Sequence, residues 1–337
     1  MSHHSHSAFG AGVSRRRMIA ATMAAGFGSA GVLAQSYPSR LMTMLVGFPA
    51  GGQADATARI FLPALQKALG QAIVVENAAG VGGSLGAQKA LAAPANGHTI
   101  YFGTPIELVQ TPMALAGVRY KPENFRMVGL MASTYLMMLV RPDLPVTSVS
   151  DFAALAKKQG RRELSFGSVG HGSAYHLVAE RFGKETGSKL LHVPYKGAQQ
   201  LITDLAGGQI DMAFLAMGGP VPGLIKTGRL KAIGFTGPGR HEDFPNVQTM
   251  NESNVVKDFQ FDLWGALMVP ASTPESVVST LSSALQDALN LQQVRRDIEA
   301  TGAVPAKPMT PSQATLFYSA EIARYQNIGK AINLRPE

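Results

Sequence analysis

The sequence predicts an α/β protein of two domains around a ligand cleft, on three observations. Strand-like and helix-like stretches alternate through residues 41–103 and again through 148–236, which is the grammar of a parallel sheet covered on both faces. The chain has 337 residues, more than one domain of about 100–200 residues ordinarily holds. Two extended apolar segments, TYLMMLVRP at 134–142 and FQFDLWGALMVP at 259–270, lie where a chain would cross to a second domain and return. The division is therefore expected at 35–137 with 262–337 for the first domain and at 138–261 for the second. Ligands of such architectures sit in the cleft, against strand C-termini and helix N-termini.

The first segment reads as an export signal. SRRR at 14–17 leads into MIAATMAAGFGSAGVLA at 18–34, with Val32 and Ala34 ahead of polar QS. A charged start, an apolar stretch and small residues before a cut define such a signal. The run is too short and too rich in Ala, Gly and Ser for the roughly 20 strongly apolar residues of a membrane span. Cleavage is expected after Ala34, and Arg15-Arg16 also permits the twin-arginine route. The histidines of SHHSH are too irregular for a metal site and belong to the removed part.

Strand LMTMLVG (41–47), helix DATARIFLPALQKALG (55–70), strand AIVVEN (72–77), helix SLGAQKALAA (84–93) and strand HTIYFG (98–103) open the mature chain. Pro63 should bend the first helix, because an interior proline removes a hydrogen bond. The second half continues with helix SVSDFAALAKKQG (148–160) capped by Ser150, strand ELSFGS (163–168), helix SAYHLVAERFGKETG (173–187) and strand KLLHVPY (189–195). Helix GAQQLITDLAGGQ (197–209) and strands IDMAFLAM (210–217) and RLKAIGFT (229–236) follow. Helix TPESVVSTLSSALQDALN (273–290) has a threonine cap with Pro274 in its first turn. Helices at 292–301 and 311–332 close the chain.

Composition excludes several classes. Hydrophobic residues make up 46% and charged residues 15% of the chain, as in ordinary globular proteins. There are no cysteines, hence no disulfides, thiolate metal sites, cysteine nucleophile or lipid-modified cysteine anchor. The formal charge of +8 falls by three when Arg15, Arg16 and Arg17 leave with the signal. The rest is dispersed in pairs such as Lys157-Lys158 and Arg295-Arg296, without the clustered basic, aromatic face of a nucleic-acid binder.

Glycine-rich strand-to-helix junctions carry the chemistry. In FPAGGQAD (48–55) a strand ends and a helix starts near Asp55, leaving backbone N–H groups without intrahelical partners. Those groups and the helix dipole make an anion seat without any charged side chain. GVGGSLG (80–86) offers a second seat, with Ser84 as cap and hydroxyl donor. SFGSVGHGSAYH (165–176) offers a third, with Ser168 and Ser173 as donors and Gly170 and Gly172 permitting close approach. One such loop alone would be only a tight turn; three facing one cleft suit a small organic anion. Asp55 also pairs with Arg59 at i,i+4, a structural role whatever the function.

Enzyme signatures are mostly missing. GVGGSLG does not meet the dinucleotide fingerprint because Leu85 takes the last glycine position, and no P-loop Gly-Lys-Ser/Thr exists. No nucleophile elbow frames Ser168 or Ser173. His171 and His176 stand five apart, off the i,i+4 spacing of a metal helix, and read as cleft-lining or satisfied histidines. No metal and no cofactor are expected.

The segments YPSRLMTMLVGFPAGGQADATAR, LGQAIVVENAAGVGGSLGAQKALAAPANGHTIYFG, FGSVGHGSAYHLVAE, HVPYKGAQQLITDLAGGQIDMAF and LKAIGFTG together resemble the Bug receptors, the periplasmic solute receptors of tripartite tricarboxylate transporters. The resemblance runs from about Tyr37 to the C-terminus. It implies a type II periplasmic-binding-protein fold closing on a carboxylate solute, with delivery to an inner-membrane permease. Carried over, its first ligand loop falls on Phe48, Pro49, Ala50, Gly51, Gly52 and Asp55, and its second on Gly82, Gly83 and Ser84. The opposite domain contributes Ser168, Val169, Gly170, His171, Gly172, Ser173 and His176, then Tyr195, Lys196, Gly197 and Asp211. Thr104 and Pro105 should line the wall. Gln53 departs from the usual Ser or Thr and could donate its amide to a ligand oxygen. HEDFPNVQTMNE (241–252) is a loose version of a surface stretch. Lys196 invites a salt bridge to the ligand but also fits a surface lysine beside a tight turn.

The expected function is capture of a small carboxylate, aromatic or dicarboxylic, by a monomeric periplasmic receptor with no nucleic-acid partner. Phe48, Tyr135 and Tyr175 lean towards an aromatic ligand. The alternatives are an enzyme working on a carboxylate or ester through Ser168 or His176, and a ligand sensor docking to a signalling partner.

Overall fold

The computed structural model describes residues 37–158, 162–331 and 334, with Met1, His3 and His4. The export signal expected over 14–34 lies outside the described residues. In order the elements are β1 (Met42–Val46), α1 (Gln53–Leu69), β2 (Ile73–Asn77), α2 (Ser84–Ala92), β3 (Thr99–Gly103), and a π turn (Ile106–Gln110) running into α3 (Thr111–Ala114). Then come β4 (Phe125–Val140), α4 (Val149–Lys157), β5 (Leu164–Ser168), α5 (Ala174–Thr186), β6 (Leu190–Pro194), α6 (Ala198–Ala206), β7 (Met212–Ala216), α7 (Val221–Lys226) and β8 (Lys231–Phe235). The chain closes with β9 (Asp262–Pro270), α8 (Glu275–Asn290), α9 (Gln292–Ala300), β10 (Val304–Pro305) and α10 (Pro311–Ala331).

The strands form one path, β2-β1-β3-β9-β4-β7-β5-β6, with β8 and β10 also on β4. β2-β1-β3 and β7-β5-β6 are parallel, as the alternation with helices requires. β4 and β9 run antiparallel to their neighbours and join the two halves. β4 changes partner in mid-strand: Phe125 to Tyr135 pair with β9, and Leu136 to Val140 pair with β7. Its side chains are nearly all buried, as expected of a strand covered on both faces. The period of two sorts them: Met138 and Val140 enter the main core, while Met137 and Leu139 pack with Leu201, Leu205 and Leu215 in a second cluster.

The two crossings are bonded to each other at this handover. Thr236 donates its N–H to Leu136 O at 2.9 Å and its hydroxyl to Phe261 O at 2.5 Å, while its Oγ1 accepts from Leu136 N at 2.8 Å. Helix α10 packs back over β4, where Glu321 accepts from Trp264 Nε1 at 2.8 Å and Arg324 pairs with Glu321.

Local expectations are corrected at several helix starts. α4 is capped by Ser148, whose Oγ accepts from Asp151 N at 3.0 Å; Ser150 instead donates to Ser253 O at 2.8 Å. α8 begins after Pro274 at the cap position, with no side-chain bond from Thr273. α2 is capped by Gly83, so Ser84 is its first residue rather than its cap. α1 begins at Gln53, two residues before Asp55, and continues unbroken through Pro63. Among the described residues no helix is long and apolar enough to cross a membrane.

Candidate functional site

The turn between β1 and α1 is tied down from below. Asp55 is buried, and its carboxylate accepts from Gly51 N–H at 2.9 Å, Arg59 Nε at 2.9 Å and Asn77 Nδ2 at 3.0 Å. The Arg59 bond holds its pKa down at about 2, against the opposing effect of burial. Asn77 also donates to Phe48 O at 3.0 Å, so one acid fixes both ends of the turn. Gly51 adopts φ 79°, a conformation costly for any residue with a Cβ. Gly52 is the cap of α1 and supplies no side-chain acceptor. The N–H groups of Gln53, Ala54 and Asp55 are thus left without acceptors inside the helix.

The second loop packs against the first. A Cβ on Gly83 would lie 2.8 Å from Glu107 Cβ and 3.1 Å from Phe48 Cζ. Gly82 O accepts from Thr111 Oγ1 at 3.0 Å, and Ser84 Oγ is buried without a hydrogen-bond partner among the described residues. Thr104 sits at the end of β3, half-buried. Its N–H donates to Glu107 Oε1 at 2.5 Å and its hydroxyl to Glu107 Oε2. Glu107 is fully buried, and burial lifts its pKa to about 7 against those two bonds. Pro105 is buried and does not line the cleft wall beside Thr104.

Between the first of these loops, the end of β3, β4 and β9 lies a recess of about 280 Å³. Phe48, Pro49, Gly52, Gln53 and Thr104 of the expected set line it, joined by Thr134, Ala132, Phe102, Ile106, Trp264 and Ala303. Gln53 Nε2 donates to Thr134 Oγ1 at 3.0 Å. Ala50 is exposed and is not among the residues lining the recess. Tyr135 and Tyr175 do not line the recess; Tyr135 packs edge-on against Phe235.

The third loop follows β5 and meets the first half of the molecule. A Cβ on Gly172 would come within 2.8 Å of Ala114 Cβ, and α3, which carries Ala114, begins at the Thr111 that holds Gly82. The third loop thus meets the second through α3, and no residue of either is among those lining the recess beside α1. The hydroxyls of the third loop are spent internally. Ser173 caps α5 and donates to Gly170 O at 2.8 Å, while buried Ser168 has Gly170 O at 3.0 Å and His192 Nε2 at 2.7 Å. His176 Nδ1 accepts from Gly172 N–H at 3.1 Å, leaving Nε2 towards Glu180. Val169 is half-buried and His171 exposed in the same loop.

His192 joins His171 and His176, with candidate ligand atoms of the three within 4.8 Å of one another. The His176 and His192 rings are stacked, 4.2 Å between centroids and 25° between planes. Their lone pairs run side by side instead of converging to the about 3.3 Å spacing that two imidazoles have on a tetrahedral zinc.

Farther along, Tyr195 is buried and gives its hydroxyl to Asp204 at 2.9 Å; burial and that bond raise its pKa to about 12. Its N–H donates to Ser168 O at 2.8 Å. Lys196 is exposed and makes no salt bridge among the described residues. Gly197 caps α6. Asp211 does not belong with this group. It lies at the start of β7, the opposite end of the sheet from Ser168, fully buried between Arg141 and Arg162 and bonded by Ser165 N–H at 2.8 Å. Burial works to raise its pKa, and Ser165 and the two arginines outweigh it, so the carboxylate stays charged and has no face left for a ligand.

Sequence reasoning missed Glu107, Trp264, Ala132 and Ala303. Glu107 carried a signal, an acid inside apolar PIELV; the recess residues of β4, β9 and the turn before β10 carried none, because adjacency across strands decides them.

A family model described as tripartite tricarboxylate transporter family receptor matches residues 57–334. Protein BugT of Bordetella pertussis is 31% identical over 302 residues, covering 89% of this chain and 91% of that protein. The chain is similar in structure to the periplasmic binding protein BugD, with TM-score 0.71 and 27% identity over 89% of this chain and 100% of that one. An R. palustris protein solved with adipate gives TM-score 0.74 and 29% identity, covering 89% and 100%. MatC from Rhodopseudomonas palustris, with bound malate, gives 0.70 and 27%, covering 87% and 99%.

Proposed function

This chain belongs to the tripartite tricarboxylate transporter receptor family and has the two-domain α/β fold of its periplasmic binding proteins, and from that we propose that it captures a small carboxylate, aromatic or dicarboxylic, on backbone N–H groups and delivers it to an inner-membrane permease. One observation carries the reading: the first turn of α1, whose N–H groups find no acceptor among the described residues and have no side-chain cap, opens on a recess lined by Gly52, Gln53 and Ala54 of that same turn. Helix N-termini favour anions through those N–H groups and the dipole. The adipate and malate held by two structural relatives support a carboxylate ligand here.

The reading includes export with cleavage after Ala34, a monomeric receptor, and the division at 35–137 with 262–337 against 138–261. Its ligand set is Phe48, Pro49, Gly51, Gly52, Gln53, Gly82, Gly83, Ser84, Thr104 and the Ser168–Ser173 loop. Asp55 and His176 act behind the loops, as the tethers of Gly51 and Gly172. The family is one of solute-binding receptors, and the pair Ser168–His192 is poorly built for hydrolysis. Burial, with His176 and His171 adding to it, pushes His192 down to about 4, far from the near-neutral value that suits a general base.

Thermal unfolding of the purified protein with dicarboxylates, aromatic carboxylates and their amides tests this. A ligand at 100 times its dissociation constant adds about 2.7 kcal/mol, worth roughly 2–4 °C per kcal/mol at this size. A midpoint shift given by an acid and lost with its amide is expected; no shift with any carboxylate would overturn the reading.

A further inference from the structure

Glu107 lies behind the recess wall and is not among the residues lining it. It is fully buried and makes no salt bridge among the described residues. The π turn that carries it packs on α2 and α10, where Lys89 is taken by Glu76 and Arg324 by Glu321 and Asp262. The titratable side chains that face Glu107 are phenols: Tyr101 of β3, Tyr120 ahead of β4 and Tyr318 of α10. Burial raises all three above the ordinary phenol value, so they are neutral where a carboxyl titrates. Gly83 and Phe48, at its stem, bring no charge.

What Glu107 controls is Thr104, which does line the recess. A carboxylate can only accept, so Glu107 takes both donors of Thr104, the N–H at Oε1 and the hydroxyl at Oε2. Thr104 Oγ1 also accepts from Ile106 N–H at 3.2 Å. A hydroxyl has one proton and two lone pairs, so Thr104 has only a lone pair left for a ligand. One proton added at Glu107 Oε2 reverses the bond. Glu107 then donates to that lone pair, and the Thr104 proton is released for a carboxylate oxygen in the recess. No heavy atom has to move. The buried negative charge, which repels an anionic ligand nearby, disappears in the same step.

Resting on the receptor reading above, we propose that Glu107 is a proton-linked positioning residue: the receptor takes its carboxylate solute together with one proton, which binds at Glu107 Oε2 and turns Thr104 from acceptor to donor. The burial that already lifts Glu107 to about 7 puts the exchange in the neutral range, and an anion in the recess favours the proton further. Affinity therefore rises as the pH falls through about 7.

Isothermal titration of the purified protein with adipate, malate and benzoate, at pH 6.5 and 8.5 and in buffers of different ionisation enthalpy, tests the inference. These acids are ionised over that range, so a proton taken up belongs to the protein. The tightest of them is expected to bind about tenfold more strongly at pH 6.5 than at pH 8.5, with net proton uptake at the higher pH. Glu107→Gln keeps the shape: its amide donates to Thr104 Oγ1 and its carbonyl accepts from Thr104 N–H, as the protonated acid does. The variant should hold at pH 8.5 the affinity that the unaltered protein has at pH 6.5, without the uptake. Thr104→Val gives a second route, with affinity at pH 6.5 down about tenfold for the lost bond to a charged group and a smaller difference between the two pH values. A pH dependence arising in His171, His176 and His192 would survive both substitutions. Carboxylate binding without proton uptake, or uptake and pH dependence that persist in these variants, would overturn the inference and leave the receptor reading standing. Binding of none of the three acids would overturn the receptor reading, and this inference with it.

Discussion

His192 shows how a single side chain ties local chemistry to stability. It lies between Phe166 and His176, with its Nε2 on Ser168 Oγ. Burial lowers its pKa from 6.5 to about 4, His176 and His171 push the same way, and Glu180 opposes them. A base whose folded pKa is depressed resists the proton that the unfolded chain accepts. Its contribution is present above pH 6.5 and is lost as the pH falls from there to about 4. His192→Gln keeps a polar side chain without that proton. The unfolding midpoint of the variant is expected to fall less than that of the unaltered protein between pH 7 and 4.5; equal losses would remove His192 as the cause. Glu107 runs the other way: its neutral form is the one that burial favours, and its contribution is lost as the pH rises from 4.5 through about 7.

At the scale of an element, α1 depends on the turn before it. Asp55 reaches back from the third helical position to hold Gly51, while Asn77 of β2 reaches across to hold Asp55 and Phe48. Strand, turn and helix are thus one hydrogen-bonded unit presenting the free N–H groups. Asp55→Ala removes the acceptor of the exposed Gly51 N–H and of the half-buried Asn77 amide, which keeps its bond to Phe48 O, at a cost of about 1.5–3 kcal/mol for hydrogen bonds lost from a charged acceptor. Arg59 is half-exposed and re-enters water at little cost. Urea denaturation should show that loss, and carboxylate affinity should fall with it although Asp55 never touches the ligand. Retained affinity in a folded variant would mean that the turn keeps its shape without the acid.

For the whole molecule the deciding contacts are those between its halves. Gly302, ahead of β10, has φ 81°, and a Cβ there would lie 2.0 Å from Met217 O at the end of β7. Gly302→Ala adds left-handed strain of about 1–3 kcal/mol and forces the loops of the two halves apart. A lowered unfolding midpoint, a larger radius of gyration by X-ray scattering and weaker carboxylate binding are expected together; an unaltered radius would place the strain within one half. The sequence by itself determined the class of this protein. Strand-helix alternation, glycines at three junctions and two apolar crossing segments are local signals, because backbone conformation and burial period are written in neighbouring residues. Even Asp55 with Arg59 was legible, since i,i+4 neighbours share a helix face. Only the tertiary structure decided that Asp211 is sealed behind two arginines at the far end of the sheet. It alone brought His192 beside His176, and Ala132, Trp264 and Ala303 into one recess. The three recess residues meet through strand register across β4, β9 and β10, and that register is fixed by pairing between segments more than a hundred residues apart.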